Sequence, residues 1–445
     1  MRGLLLNAYL VCLVPFAWGS PYIGLYIYYW LSYFDPFHLA YAPMPVPWVK
    51  IFAAITIVAW LLSKEPKRIP FNMTTTMLVV FYAWTTITLI FGLFPQYGLP
   101  KWQDFTSAIV MVFVALGVLT RRHRIHGALW VVVLALGWWT FKGGLFVLLS
   151  AGAQHVYGPE GTHFADNNGM ARACIMIMPL ILYLFLYSSQ KHVRYALLGL
   201  LGLTILALVG TNSRGGFLGF GAMAAFAWLF ARRKIVPLAI AVVIVGLGYL
   251  ATPKDRIVEY TQRIESTADY ENDGSAQGRF GSWRYAVELA SRRPLGGGFG
   301  AFHGHTAPGQ TSYTEAHSNY FEVIGEHGFI GLAIYLTIVI AAYRTCSRII
   351  RMTKPRPDLH WARDLARCLQ ACEIAYLVGG LTINHATLEL WYMLVAFMVA
   401  TGTVVRRELA RETAEVARER PALPGVVAGA GPMRWHGAET ASRRS

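Results

Sequence analysis

The chain has 445 residues, of which 55% are hydrophobic and only 14% are charged, and its formal net charge is +15. This composition excludes an ordinary soluble domain and is typical of a protein that crosses a membrane several times. The positive charge does not indicate nucleic-acid binding here. The Lys and Arg residues cluster in short segments between apolar runs, as in cytoplasmic loops.

Apolar runs of roughly 17–25 residues, the length needed to cross a bilayer, recur along most of the chain. They predict twelve membrane-spanning helices, near residues 3–19, 46–63, 76–94, 104–120, 127–150, 169–188, 195–211, 215–231, 235–251, 321–343, 368–386 and 388–405. Placing every basic loop on one side requires an even number of crossings between them. Twelve helices satisfy this condition with both termini in the cytoplasm, so we predict an all-α polytopic membrane protein.

The predicted organisation has four parts. Residues 1–251 carry about nine transmembrane helices and a short outer loop at 151–168. Residues 252–320 form one large outer loop, residues 321–405 carry the last transmembrane helices, and residues 406–445 form a cytoplasmic tail. The tail is rich in Arg, Ala, Pro and Gly, a composition typical of disorder.

Residues 20–40 do not fit the pattern of a simple span. Six Tyr and Trp residues of this segment precede Pro36, namely Tyr22, Tyr26, Tyr28, Tyr29, Trp30 and Tyr33. Dense Tyr and Trp favour an interfacial or re-entrant segment over a full crossing. If this segment does cross, one of the other predicted spans must be wrong.

The short outer loop contains polar side chains that could meet a substrate. His163, Asp166 and Asn167 stand directly before an apolar run. Asp and Asn in that position are also typical helix caps, so two interpretations stay open, contact with a substrate and capping of the next helix.

Thr211–Gly216 interrupts two apolar runs on the predicted outer side. An arginine at a membrane is costly unless it has a partner, and the planar guanidinium of Arg214 suits phosphate oxygens. The alternative is a tight turn whose arginine extends to the membrane interface.

The large outer loop predicts two helices separated by a turn. Arg256–Tyr270 has the pattern of an amphipathic helix, Asn272–Gly278 that of a turn, and Arg279–Ser291 that of a second helix. Pro294–Gly300 then contains four glycines. Such a segment suits either close approach of the backbone to a ligand or a flexible hinge.

Arg279 and Arg284 flank Trp283 on that second helix. Salt bridges to the acidic run Asp269–Asp273 would explain them, but Arg214 and Arg279 are also predicted on the same face of the membrane as His317. Two guanidiniums could hold a diphosphate and stabilise its charge as it departs, while a neutral imidazole takes a proton from an attacking hydroxyl.

His317–Gly331 closes the large loop and runs into an apolar helix. Its polar end could do chemistry at the membrane surface, with Ser318 and Glu322 as possible substrate contacts beside His317. Gly325, Gly328 and Gly331 form a stripe of small residues that allows close approach of another helix or a ligand.

The remaining histidines predict no cofactor site. His303 and His305 have no third ligand at a recognisable spacing, so no metal is expected. No nucleotide-binding fingerprint is present, which argues against ATP-driven transport. His385, between the last two spans, is interpreted as a core histidine.

The motifs in combination resemble the O-antigen ligase and polymerase superfamily. Thr-Asn-Ser-Arg-Gly-Gly at 211–216 is followed by Gly278-Arg279, Trp283 and Pro294, and then by His317-Ser318, nine residues and Gly-x-x-Gly. Gly158–Asn168 and the aromatic segment ending at Pro36 look like the branch of O-glycosylation ligases associated with the exosortase A system. The resemblance covers roughly residues 1–405.

The resemblance implies a membrane glycosyltransferase of the GT-C type in the bacterial inner membrane, with its active site facing the periplasm. It implies transfer of a glycan from undecaprenyl diphosphate to an acceptor hydroxyl, without metal or cofactor and with inversion. By position in the motifs, His317 is similar to the catalytic histidine and Arg214 and Arg279 to the diphosphate-binding arginines, with Arg284 as a second choice. The implied partners are the donor, a lipid or protein acceptor and the bilayer. The resemblance implies no nucleic-acid partner.

The acceptor stays open among three kinds of hydroxyl. Ligases use a lipid A–core sugar or a protein Ser or Thr, whereas a polysaccharide polymerase with the same chemistry uses a growing glycan. A glycolipid flippase or transporter is the alternative of another class. It predicts charged residues near the middle of several spans, and those are scarce in this sequence.

Overall fold

The structure, a computed structural model, describes residues 1–41, 46–150, 155–230, 274–305 and 315–419. Within these ranges the chain is helical without β-strands, and eight helices are long and apolar enough to cross a membrane. The architecture therefore supports a polytopic, all-α membrane protein. The number of twelve crossings and the four-part division remain predictions.

Fourteen α-helices are seen in the described residues. They are α1 (Arg2–Gly19), α2 (Pro21–Phe34), α3 (Pro36–Leu39), α4 (Trp48–Leu62), α5 (Met73–Ile90), α6 (Pro95–Val118), α7 (Arg122–Leu149), α8 (Asn167–Tyr187), α9 (Lys191–Gly210), α10 (Arg214–Phe230), α11 (Gly274–Arg292), α12 (Asn319–Thr353), α13 (His360–Gly379) and α14 (Glu389–Glu419). Residues 1–405 form one compact unit and residues 406–445 a second.

Eleven of the predicted spans coincide with these helices in whole or in part. The predicted span at 235–251 and the predicted amphipathic helix Arg256–Tyr270 lie outside the described residues. The turn predicted at Asn272–Gly278 is wrong from Gly274 onward, because α11 already begins there.

The helices place the predicted site loops at one end of the bundle. At this end α8, α10 and α12 begin and α9 and α13 end. Side chains and backbone join the loops across it: Asn167 Nδ2 donates to the Thr211 carbonyl at 3.0 Å, and Asn319 N donates to the Gly380 carbonyl at 2.8 Å. We call this the site end. The basic segments 121–124 and 191–194 lie at the opposite, basic end.

The first helices run in directions that the sequence did not predict. Trp48 Nε1, at the start of α4, donates to Asn7 Oδ1, near the start of α1, at 2.5 Å. At the other end of α1, the Ala17 carbonyl lies near Gly24, which also faces Thr56 of α4. Helices α1 and α4 are therefore parallel, and α2 carries the chain back between them. The start of α1 lies at the site end, so the predicted position of the N-terminus beside the basic loops is wrong.

Helix α2 is buried in the protein. Tyr28, Tyr29 and Tyr33 are only 2–3% exposed, and Tyr26 Oη donates to the Arg124 carbonyl at 2.7 Å. The interfacial interpretation of residues 20–40 is therefore wrong, because the rings pack between helices. With 14 residues, α2 is about 21 Å long, roughly two thirds of a hydrocarbon core.

The long helix α12 is broken at Gly328, whose φ of 71° and ψ of −178° are not helical. The break leaves the carbonyls of Gly325 and Glu326 available to another partner. They accept hydrogen bonds from the N–H groups of Gly297 and Gly298, each at 2.8 Å. The predicted glycine stripe thus contains a kink that receives a second segment of backbone.

The glycine-rich segment after α11 is shaped for that contact. Gly296, Gly298 and Gly300 all have φ between 72° and 79°, a region that residues other than glycine rarely adopt. A Cβ atom at Gly328 would collide with the Pro294 carbonyl. These glycines therefore serve a backbone-to-backbone contact between protein segments, which differs from both predicted uses, ligand approach and hinge.

The charged residues at the start of α12 are buried among partners. Glu326 Oε1 lies 3.3 Å from Lys101 Nζ and accepts the Gly300 N–H at 2.9 Å. Glu322 Oε1 lies 4.0 Å from the same ammonium, and His327 Nδ1 lies 2.7 Å from Thr88 Oγ1. These contacts offset the cost of ionisable groups in a membrane helix.

Candidate functional site

A polar cavity of about 210 Å³ opens at the site end. It is lined by Asn167, Asn168, Asn212, Ser213, Arg214, Gly215, Arg279 and Thr382. The two arginines come from different helices, Arg214 from the first residue of α10 and Arg279 from α11. The structure therefore brings together two of the predicted site residues with a third, Asn167. Guanidinium and amide N–H groups around one cavity suit an anion rich in oxygen.

Hydrogen bonds between side chains and backbone fix the floor of this cavity. Ser213 Oγ donates to Asn168 Oδ1 at 2.7 Å and accepts the Gly216 N–H at 3.2 Å. Gly215 has Thr382 and Ile383 so close that a Cβ atom would collide with them. The start of α10 is thereby held against α8 on one side and against the segment after α13 on the other.

Two polar atoms in the cavity wall lack a partner within the described part of the chain. Asn212 Oδ1 and Thr382 Oγ1 are buried and make no hydrogen bond there. Unsatisfied buried polar groups are costly and rare, so each invites a ligand or a water molecule. Asn212 also has a φ of 51°, and backbone strain of this kind is concentrated at functional sites.

His317 is held beside this cavity but does not line it. Trp283 Nε1 of α11 donates to the carbonyl of Ala316 at 2.8 Å, and Ser318 Oγ donates to the Gly380 carbonyl at 3.3 Å. The residue between them, His317, is half-buried and has a φ of 47°. Its backbone is thus fixed between α11 and the end of α13.

The surroundings of His317 favour its neutral form. Burial lowers the pKa of its imidazole below the usual range, the Glu315 carboxylate opposes this effect, and the Arg279 guanidinium adds to it. Asp166 and His385 act on the same ring with smaller and opposite effects. A neutral imidazole next to a cationic cavity can accept a proton at neutral pH.

The other predicted site residues lie around this centre in different roles. Arg284 is exposed on α11 and is absent from the cavity wall. Asp166 accepts the Gly169 N–H at 2.8 Å and caps α8, as one of its two interpretations predicted. His163 faces His385, with ring centroids 5.6 Å apart. Ser318 is buried.

Glu322 binds the protein's own backbone. Its Oε2 accepts the N–H groups of His385 and Ala386, both at 2.8 Å. The carboxylate therefore holds the segment 380–388, between α13 and α14, in place. Direct contact of Glu322 with a substrate stays a prediction.

Arg172 on α8 is not among the site residues predicted from the sequence. This side chain is 2% exposed, and its Nη1 lies 3.4 Å from the His385 carbonyl. Its Nε and Nη2 have no hydrogen-bond partner within the described residues, although the guanidinium carbon lies 5.6 Å from the centre of the Tyr376 ring. An arginine inside the predicted span 169–188 was the signal, because charged residues in membrane helices mark functional sites.

His303 and His305 pack against different aromatic rings. His303 stacks on Tyr97 and His305 on Tyr285, with ring centroids 3.8 and 4.8 Å apart. Across the described ranges, no group of three or more His, Cys, Asp or Glu residues is arranged to hold a metal ion. The expectation of a metal-independent reaction stays a prediction.

Two protein families match separate parts of the chain. The family described as O-antigen ligase matches residues 198–336, which include Arg214, Arg279 and His317. A family of unknown function, DUF5935, matches residues 1–189. No curated protein matches the chain. The ligase match and the apolar helices together support a membrane enzyme of the O-antigen ligase and polymerase superfamily.

Proposed function

We propose that the protein is an inverting, metal-independent glycosyltransferase of the bacterial inner membrane. It moves a glycan from undecaprenyl diphosphate to an acceptor hydroxyl at the periplasmic face. The observation that carries this proposal is the cavity shared by Arg214 and Arg279 beside His317. The lipid tail of the donor lies against the membrane helices, and the diphosphate occupies the cationic cavity.

The reaction needs a base on one side of the anomeric carbon and charge stabilisation on the other. The acceptor oxygen forms a bond to the anomeric carbon, and the bond from that carbon to the phosphate oxygen breaks. The hydroxyl proton passes to the neutral imidazole of His317. Undecaprenyl diphosphate leaves, and Arg214 and Arg279 stabilise the negative charge that develops on it.

We further propose ligation, with GT-C architecture, as the reaction type. The acceptor is a lipid A–core sugar or a protein Ser or Thr, and the second of these corresponds to the O-glycosylation branch associated with the exosortase A system. Support comes from the aromatic segment ending at Pro36 and from Gly158–Asn168, the sequence features that carry the resemblance. A polymerase that extends the donor's own glycan is the second candidate.

A flippase or transporter is less well supported. A transport path would need charged side chains distributed through the spans, whereas Arg214 and His317 lie together at the site end. Arg172 is a buried cation in α8, but it too lies near that end, beside His385.

The test is transfer in vitro from purified undecaprenyl-diphosphate glycan in the presence of EDTA. Lipid A–core and a Ser/Thr-rich peptide are offered in separate reactions, and a third reaction contains the donor alone. Product on either acceptor supports the ligase and names its substrate class. Elongated donor in the third reaction instead supports the polymerase, and no product in any reaction refutes the proposed transfer. Activity that EDTA removes and Mg²⁺ restores would refute metal independence.

A further inference from the structure

The segment 380–388 holds a histidine in an unusual backbone conformation. His385 has a φ of 96°, one of five non-glycine residues with positive φ in the described part of the chain. Asn212 and His317, both at the candidate site, are two of the others. Such strain persists only where the surrounding structure over-determines it, and it is concentrated at functional sites.

Buried side chains hold the backbone of His385 from both sides. The Glu322 carboxylate accepts its N–H at 2.8 Å. Its carbonyl lies 3.4 Å from Arg172 Nη1 and 3.3 Å from Tyr376 Oη. All three of these side chains are at most 7% exposed. The protein therefore fixes the direction in which the imidazole of His385 projects.

That imidazole faces a second one and leaves its own nitrogens available. The rings of His163 and His385 meet edge to face, 5.6 Å apart. In the described ranges neither ring makes a hydrogen bond, and His163 is exposed while His385 is half-buried. Asn384, next to His385, donates to the carboxylate of Glu315, two residues before His317, so His385 lies near the proposed base.

The surroundings of His385 favour a neutral ring. Burial lowers the pKa of its imidazole, and nearby Arg172 adds to the effect. A neutral imidazole has one donor and one acceptor nitrogen, which matches the hydrogen-bonding pattern of a hydroxyl group. The pair therefore differs in chemistry from the cationic cavity, which suits phosphate.

We propose that His163 and His385 form the subsite that binds the acceptor hydroxyl group or its hydroxyl neighbours. This inference rests on the proposed glycosyl transfer and gives the acceptor a place separate from the donor diphosphate. The shared chemistry is an array of hydroxyls, whether on a lipid A–core sugar, on a peptide Ser or Thr, or on a growing glycan. His163 and His385 act as binding residues, and His317 remains the base.

The test compares the KM of acceptor and donor in two variants. His385→Asn removes the imidazole but keeps a residue that tolerates positive φ, and His163→Ala changes a residue without that strain. The wild type is first assayed with lipid A–core, with the Ser/Thr-rich peptide and with donor alone, and the active acceptor is used for all kinetics. His192→Ala, an exposed histidine at the basic end, is the matched control.

We expect each site variant to raise the KM for the acceptor by about tenfold, the effect of losing one hydrogen bond. The KM for the donor should stay within about twofold. An unchanged KM for the acceptor in both variants, or an equal rise for both substrates, would overturn the subsite while leaving the transferase intact. A wild type inactive with all three acceptors would refute the proposed function, and the subsite with it.

Discussion

Two substitutions of Glu322 test whether its carboxylate has a structural or a catalytic role. In the structure its Oε2 accepts two backbone N–H groups, from His385 and Ala386, at 2.8 Å each. Glu322→Ala would leave both buried donors unsatisfied, at a cost of about 1–3 kcal/mol each. We therefore expect a loss of about 2–6 kcal/mol in the free energy of unfolding, together with a strong loss of transfer as the segment 380–388 moves.

Glu322→Gln should behave differently, because one amide oxygen can take the place of Oε2 and accept both N–H groups. The variant loses the ion pair with Lys101, whose side chain is 48% exposed and lies 4.0 Å away. Lys101 keeps its nearer partner, the Glu326 carboxylate at 3.3 Å, so its charge stays paired. Most stability and most transfer should remain.

The assay is thermal unfolding of the purified protein in detergent, combined with transfer at saturating donor and acceptor. Glu288→Ala, an exposed carboxylate on α11, is the control and should match the wild type in both measurements. A Glu322→Gln variant that unfolds like the wild type but loses transfer a hundredfold or more would refute this reasoning. It would assign Glu322 a direct action on the substrate.

Three further substitutions and one pH profile test other parts of the site and fold. Arg279→Ala should weaken binding of undecaprenyl diphosphate by about 10- to 100-fold, the effect of losing a charge-assisted hydrogen bond, whereas exposed Arg292→Ala on the same helix should bind like the wild type. His317→Ala should abolish transfer yet bind donor normally; retained activity would remove it as the base. Because burial lowers the pKa of His317, wild-type transfer should be level at pH 7 and fall only below the usual value of about 6.5, as the ring gains a proton. Gly328→Ala should lower the unfolding temperature, since the new Cβ collides with the Pro294 carbonyl; an unchanged temperature would contradict the rigid kink.

The helices could be predicted because membrane crossing is a strong local signal. Each apolar run must satisfy its own backbone hydrogen bonds, so its length and composition predict a helix without knowledge of its neighbours. The direction of α1 and the burial of α2 could not be predicted in this way. Tyrosines at a membrane interface and tyrosines buried between helices give the same local pattern, and only contacts such as Tyr26 with the Arg124 carbonyl distinguish them.

The candidate site was predictable where one residue type had an evident chemical use. Arg214, Arg279 and His317 are distinguished in the sequence by charge and position, and the first two share a cavity. Arg172 carries one signal in the sequence, a charge inside a predicted span, but its unsatisfied guanidinium and the strained backbone of His385 are properties of the fold. Neither property can be seen in a sequence without the fold.

The kink in α12 also makes the stretch from Asn319 to Glu326 intolerant of insertion. The hydrogen bonds from Gly297 and Gly298 fix Gly325 and Glu326 in place, and α12 runs from there back to Asn319, two residues after His317. One extra residue within this stretch would turn its far end by about 100° and displace it by about 1.5 Å. Homologues that keep the same chemistry should therefore vary in loop length elsewhere and keep this count constant.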